Sequence, residues 1–419
     1  MANLKLNPNY ISLHNHSIGS LRDGIMKVSD HIKFALDNNK THVCITDHGS
    51  ISEWIELYTQ CNKSDVTPIY GVEGYVHLDR GNYLENKKGK PDHIVLLAQN
   101  EIGFKNIIKI HNDAWEHHYK KPIMSYDYIK ENNEGVIVTT ACLAGTLSRL
   151  LENEEIDKAD IFIKDMKKYF PDRFFIELMF IESDEQYKRN RQLAQIAKKH
   201  NVPILINNDA HYLTDEDSEI HQLSLLLQSN KTMKDLKDGN AWTFSASDLY
   251  MKTEKDLYKH WVNHYKNDSI ITKELLVEAT WNVDKVLSSI EKDIYLEHPP
   301  RLPHFRKGEE KLTDLVIKGF EKKVGKGDVP SEQMDKYMER VEYELNAIKN
   351  MGLTDYFLLI KDVVEFCNKE DIAIGAGRGS VSASLVTWLL SISKLDPIKH
   401  NFIFERFLNP ARKTKLKFF

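Results

Sequence analysis

Two short pairs carry the most chemistry in this sequence: His14-Asn15-His16 near its start and Asp209-Ala210-His211 far along the chain. In an extended segment the side chains at i and i+2 point to one face, so both members of each pair can reach one ion. Asp47-His48, Glu73 and Cys142 add donors of the same kinds. A mixture of imidazole and carboxylate suits zinc, manganese or iron better than magnesium. Several such ions in one place suit phosphoester hydrolysis, because they acidify water and stabilise charge on phosphoryl oxygens. Taken singly, each feature is ordinary. A lone His-x-His is usually decorative, and a lone cysteine usually packs as a small hydrophobe. Convergence is what would make a site.

The elements that could produce convergence run from Tyr10 to about Leu213. Short β-rich runs at 10–13, 42–46, 68–76, 94–98, 136–139, 174–178 and 203–207 alternate with amphipathic helical stretches at 27–38, 53–62, 103–116, 157–170 and 185–200. Such alternation predicts an α/β fold with a parallel sheet and crossover helices, open or closed into a barrel. His14, His16, His48, Glu73, Cys142, Asp209 and His211 fall at or near the ends of these runs, the rim where barrel active sites sit. His93 is the exception, because it opens its run. His260 and His264, at i and i+4 in a helical stretch, have no acidic partner and read as surface residues. The charged, glycine-containing segment 81–91 reads as a loop.

Composition narrows the class. The chain has 419 residues, room for two or three domains, and is 41% hydrophobic and 10% aromatic, as in an ordinary globular protein. A formal net charge of -5 excludes a generic polyanion binder, although a local basic groove could still bind DNA. No apolar run approaches the ~18 residues that span a bilayer. Four scattered cysteines with no Cys-x-x-Cys pair fit a reducing cytoplasm, the expected location. Residues 214–290 look helical and polar. Three prolines in 299–303 then mark a connector, since proline removes backbone donors and disfavours helix before it.

Beyond the connector come helical stretches at 312–324, 331–350 and 357–368, and then Gly375-Ala376-Gly377-Arg378-Gly379-Ser380 before an apolar helix expected at 381–392. Glycines permit close backbone approach, free amides at a helix start attract phosphate, and arginine clamps it bidentately. A plain tight turn before a helix accounts for the same residues. The run lacks the Gly-Lys-Ser/Thr of a Walker A loop.

His14-Asn15-His16-Ser17, Asp23-Gly24, Thr46-Asp47-His48-Gly49, Gly71-Val72-Glu73 and Asn208-Asp209-Ala210-His211-Tyr212 together resemble the motifs of the PHP (polymerase and histidinol phosphatase) domain. The resemblance is closest to the PHP domain that opens bacterial DNA polymerase III alpha subunits. It implies a distorted seven-stranded (β/α) barrel and metal ligands at His14, His16, Asp23, His48, Glu73, His93, Cys142, Asp209 and His211, every one a ligand-competent residue. It further implies up to three zinc or manganese ions, 3′→5′ proofreading exonuclease activity with Asp209 and His211 in the chemistry, and Asp47 orienting His48. Tyr356-Phe357-Leu358-Leu359-Ile360, Gly377-Arg378-Gly379-Ser380 and Phe404-Glu405-Arg406-Phe407-Leu408-Asn409-Pro410 resemble the start of the alpha-subunit palm, an α+β domain of the polymerase beta-like class. There Gly377, Arg378, Gly379 and Ser380 would hold the triphosphate of an incoming deoxynucleotide.

The resemblance therefore implies domains at 1–280 and 281–419, DNA and deoxynucleoside triphosphate as partners, and no membrane. One departure matters. The family follows Asn-Pro with Pro-Asp-x-Asp, whose carboxylates hold catalytic magnesium, but here Asn409-Pro410 leads into Ala411-Arg412-Lys413-Thr414-Lys415-Leu416-Lys417-Phe418-Phe419. This chain alone is not expected to polymerise DNA, and a complementing chain with the remaining residues is expected. Two other readings share the same residues. A free-standing PHP phosphoesterase would have no use for the polymerase-like tail. A non-catalytic PHP scaffold would be marked by lost ligands.

Overall fold

The structure, a computed structural model, describes residues 5–21, 23–244, 246, 248–292, 294 and 303–410. The chain forms two compact units, Met1–Leu296 and Glu297–Phe419. Most of the proline connector and all of the basic tail after Pro410 lie outside the described residues.

Among the described residues eight strands build the first unit: β1 (His42–Ile45), β2 (Thr67–His77), β3 (Asp92–Ala98), β4 (His118–Tyr119), β5 (Lys121–Ser125), β6 (Val136–Thr139), β7 (Phe174–Met179) and β8 (Ile204–Asn207). The pairing runs β1-β2-β3-β6-β7-β8, and the small β4-β5 hairpin pairs with the far half of β2. The sheet is mixed rather than parallel: β3 runs antiparallel to both β2 and β6. Its residues Ile94 through Ala98 are all buried, as expected of a strand covered on both faces.

The expected strand at 10–13 does not form, and the segment joins no ladder. Its backbone is tied by side chains instead: Leu13 N–H donates to Asn207 Oδ1 at 2.7 Å, and His14 N–H to Ser12 Oγ at 3.4 Å. Just beyond, Asn15 bridges to Ala210, and Thr46 N–H donates to Asn15 O at 2.8 Å. The segment thus sits between the ends of β8 and β1 and takes the place of a seventh strand in the ring.

Helices Val28–Asp37, Trp54–Cys61, Glu101–Glu116, Ile156–Tyr169, Asp184–His200 and Lys273–Ser289 bury one apolar face each. Several begin at side-chain caps. Asn100 accepts from Gly103 N–H at 3.0 Å, and Thr272 from Leu275 N–H at 3.3 Å. The segment read as a loop contains the helix Arg80–Asn86, started by Asp79, whose Oδ1 accepts from Asn82 N–H at 3.0 Å. Its charged residues face outward and leave only Tyr83 buried, so no apolar periodicity announced it.

The described residues of the second unit are helical: Gly308–Gly325, Met334–Asn350, Thr354–Lys369 and the short Leu385–Leu389. The apolar helix expected over 381–392 is broken. Gly379–Ala383 forms a 3-10 turn, and Ser384 then caps a five-residue helix by accepting from Thr387 N–H at 3.3 Å. Glu344 dictates this break. Its fully buried carboxylate accepts from Ser384 Oγ–H at 2.7 Å, Leu385 N–H at 2.9 Å and Val386 N–H at 3.0 Å, while Arg340 Nε–H lies at 2.7 Å. Removing this carboxylate orphans buried donors, a loss of ~1–3 kcal/mol. Glu344→Ala is therefore expected to lower the stability of the second unit by about that amount and to speed amide exchange at Leu385 and Val386. Unchanged exchange at those amides would refute the role given to Glu344.

Candidate metal centre

The barrel rim gathers every residue expected there. The turn after β1 delivers His48, β2 carries Glu73, the loop after β6 carries Cys142, and the loop after β8 carries Asp209 and His211. His93 joins them because β3 is antiparallel, so the start of that strand lies at the rim where its neighbours end. A bridge from His48 to Glu73 and another from His93 to Gly145 fix these positions.

Glu73 is the hub. Its Oε1 lies 2.8 Å from His93 Nδ1 and 3.3 Å from His14 Nε2; its Oε2 lies 2.6 Å from His48 Nδ1 and 3.5 Å from His16 Nε2. Cys142 Sγ lies 3.6 Å from Glu73 Oε1. Asp209 Oδ1 is 2.9 Å from His16 Nε2 and 3.4 Å from His14 Nε2. Asp23 faces His48 Nε2 at 3.3 Å, His211 Nε2 at 3.6 Å and His221 Nε2 at 3.2 Å. Four overlapping groups among the described residues could hold an ion: His14, His16, Glu73 and Asp209; His16, His48 and His211; His48, Glu73 and His93; and Asp23, His211 and His221.

Outer contacts aim the imidazoles. His14 Nδ1 is held by Glu177 Oε1 at 2.8 Å, and His211 Nδ1 by Asp209 O at 2.7 Å, so each ring presents Nε2 to the centre. Ser20 Oγ donates to Asp47 Oδ1 at 2.7 Å and so accepts from His16 Nδ1–H at 2.9 Å, which turns the other nitrogen of that ring inward. Asp47 therefore does not orient the His48 ring, as had been expected. Neighbouring side chains on an extended segment point apart, and Asp47 lies beneath the cluster. There it accepts from Ser17 N–H at 2.7 Å and Ser17 Oγ–H at 2.6 Å, and it reaches His16 through Ser20. Gly19 permits this packing, because a Cβ there would meet Asp47 Oδ2 at 2.3 Å.

His14 Nε2, His48 Nδ1, His211 Nε2 and Glu73 Oε2 are buried without a hydrogen-bond partner. Each belongs to a residue of one or more of the groups that could hold an ion. Buried polar atoms are rarely left so. Cations held by the overlapping groups would satisfy these atoms, so the residues present fit a metal. Charge points the same way. Burial alone would discharge His48, but Glu73 and Asp23 overcome it and push its pKa up to about 10. His14 likewise ends well above the ordinary imidazole range, its burial outweighed by Glu73, Asp209 and Glu177. His16 goes the other way, to about 3, through burial and the neighbouring His48 and His211. Asp23 and Glu73 stay ionised despite burial because of the imidazoles around them. Without metal, protons on His14 and His48 supply the positive charge that an ion would bring.

The backbone is strained at two of the rim loops. Asp209 has φ 48° and Ala141, just before Cys142, has φ 57°, a left-handed conformation that costs a non-glycine residue of the order of 1–3 kcal/mol.

Three contributors escaped the sequence reading. Glu177 is fully buried within the apolar run Phe174–Met179, and a charged residue inside such a run was the available signal. Ser20 and His221 had none, since each acts through a contact distant in sequence. His260 and His264 do not join the centre, nor are they both surface residues. His260 is buried against Phe180, with its pKa lowered to about 3 by burial, because their i, i+4 spacing marks the inward face of helix Glu254–His264.

In the second unit the glycine-rich turn is exposed and strapped by Lys394 N–H donating to Ala376 O at 2.8 Å. Gly377 at φ 110° and Gly379 at φ 63° require glycine and leave Arg378 projecting between them.

Metal must displace the protons on His14 and His48. Its affinity is therefore expected to rise as pH rises from the ordinary imidazole value of 6.5 toward the value of about 10 at His48. The sign follows from the raised pKa: protonation is strongest below that range and fades through it. Titration calorimetry in buffers of different ionisation enthalpy should register proton release, and a pH-independent affinity without release would contradict the assignment.

Comparison with known proteins agrees with this geometry. The PHP domain family matches residues 12–180, and the bacterial DNA polymerase III alpha NTPase domain family matches residues 310–415. The DNA polymerase III subunit alpha of Aquifex aeolicus is 33% identical over 420 residues, covering 97% of this chain and 35% of that protein. Its counterpart in Borreliella burgdorferi is 31% identical, covering 96% and 34%. The chain thus spans about a third of the length of the curated relatives it matches. A solved amidohydrolase from Chromobacterium violaceum covers 48% of this chain and 87% of its own at 14% identity, with a TM-score of 0.31, too weak a likeness to argue from.

Proposed function

We propose that this chain belongs with the bacterial DNA polymerase III alpha subunits, whose domain families match it, and that its barrel is a metal-dependent phosphodiesterase that removes nucleotides from 3′ ends of DNA. The observation that carries this reading is Glu73, buried and facing His14, His16, His48 and His93, with Nε2 of His14 and His211 turned inward unpaired.

In this reading His14, His16, Asp23, His48, Glu73, His93, Cys142, Asp209 and His211 hold zinc or manganese ions. A bound divalent ion supplies Lewis acidity toward a phosphoryl oxygen and makes water more acidic. The protein's own part is orientation. Glu177 and Ser20 hold the rings of His14 and His16, Asp47 anchors Ser20, and the Asp209 carbonyl accepts from His211 Nδ1–H so that Nε2 of that ring faces the centre beside Asp23 as a ligand. The exposed turn Gly377-Arg378-Gly379-Ser380 is assigned to the triphosphate of a deoxynucleotide.

End-labelled single-stranded DNA, incubated with the purified chain and zinc or manganese, should shorten from its 3′ end. Asp209→Ala and His14→Ala should each slow this by 100-fold or more, about the loss expected when a ligand or its outer support is removed. A parent chain that binds metal and leaves DNA intact would refute the nuclease reading.

A further inference from the structure

Beside the metal centre a line of aromatic rings leads from the cluster to the surface. His211 packs on Phe244 with ring centroids 5.1 Å apart, and Phe244 packs on Trp242 at 5.0 Å. Phe244 also stacks on His221, 5.6 Å away and 23° from parallel. Phe244 is anchored, since it packs against the small apolar cluster of Met179, Ile181, Tyr212, Ala246 and Leu249. Trp242 is not enclosed and remains 66% exposed.

A large exposed ring needs a reason, because burial would stabilise it and Trp is seldom left open to water. The other tryptophans more than a third exposed have partners for their indole N–H. Trp281 donates to Lys5 O at 3.0 Å, and Trp115 donates to His111 Nε2 at 3.0 Å while stacking on His118. Trp242 instead packs on Phe244, which touches both His211 and His221, and His221 Nε2 lies 3.2 Å from Asp23 Oδ1.

We infer that Trp242, supported by Phe244, is a stacking platform for the terminal base of a single-stranded nucleic acid whose end phosphodiester lies at the metal centre. The inference rests on the nuclease reading of the barrel and adds to it the form of the substrate. A π-face accepts any base, so the platform confers no sequence preference. It does confer a structural one. An unpaired terminal base reaches the ring freely, whereas a paired base must first leave its stack at a cost of a few kcal/mol. Trp242 is thus a specificity residue that favours frayed or mismatched ends.

The test uses the full chain and a fluorescent oligothymidylate whose last linkage is a phosphorothioate, with and without a base on its 3′-terminal sugar, read by anisotropy. Trp242→Ala should weaken binding of the base-bearing end roughly 5- to 100-fold, the range that stacking on an aromatic side chain provides. Binding of the abasic end should not change, and Trp242→Phe should restore most of the loss. Equal affinities of parent and Trp242→Ala for the base-bearing end would overturn the platform, as would an equal loss for both ends. The two claims fail separately. A chain that shows the base-dependent binding but never cuts DNA retains the platform and loses the nuclease reading; one that cuts DNA yet is indifferent to Trp242→Ala does the reverse.

Discussion

Glu73 has no water to solvate it. Its carboxylate is fully buried within β2, yet the imidazoles of His93, His14 and His48 outweigh that burial and keep it ionised. A buried charge persists only when it is compensated, and much of the first unit can be understood as the means of that compensation. The turn after β1 must place His48, the segment at 10–16 must place His14 and His16, and the loop after β8 must place Asp209 close enough to share them. Each of those loops is tied to another by backbone bonds at the rim, such as Thr46 to Asn15 and His16 to Ala210.

Placement alone would leave imidazoles free to rotate. The outer residues remove that freedom, each in a different way. Glu177 is a buried carboxylate behind His14, Ser20 relays from Asp47 to His16, and a backbone carbonyl holds His211. The left-handed Asp209 and Ala141 show that the chain accepts strain at two rim loops to keep this arrangement. The result is a preorganised set of inward-facing donors in which protons on two histidines stand where a cation fits.

Much of this was legible in the sequence. The i, i+2 pairs, the alternation of short apolar runs with amphipathic helices, and the position of ligand types at strand ends sufficed to converge residues from His14 to His211. What escaped did so for physical reasons. Strand direction is not written in a strand's composition, so His93 looked misplaced until β3 proved antiparallel. The 10–13 segment reads as a strand by residue type, but its partners are side chains. The β4–β5 hairpin is too short for periodicity to register. In the second unit, the apolar run at 381–392 promised one long helix, and a single carboxylate from Glu344, remote in sequence, broke it. Trp242 carries no local pattern at all; only its stacking on Phe244 gives it meaning.

The buried donors around Glu73, if they act as one metal-binding unit, should make the barrel's integrity depend on the ion. The direct measurement is metal content by mass spectrometry together with the thermal midpoint of the first unit, before and after exhaustive chelation and again after adding back zinc or manganese. The purified chain should hold bound metal, and its midpoint should fall on chelation and recover on reloading, since a ligand that binds only the native state stabilises it by mass action. A chain that takes up no metal at saturating concentrations, with a midpoint indifferent to chelator and ion alike, would contradict that dependence.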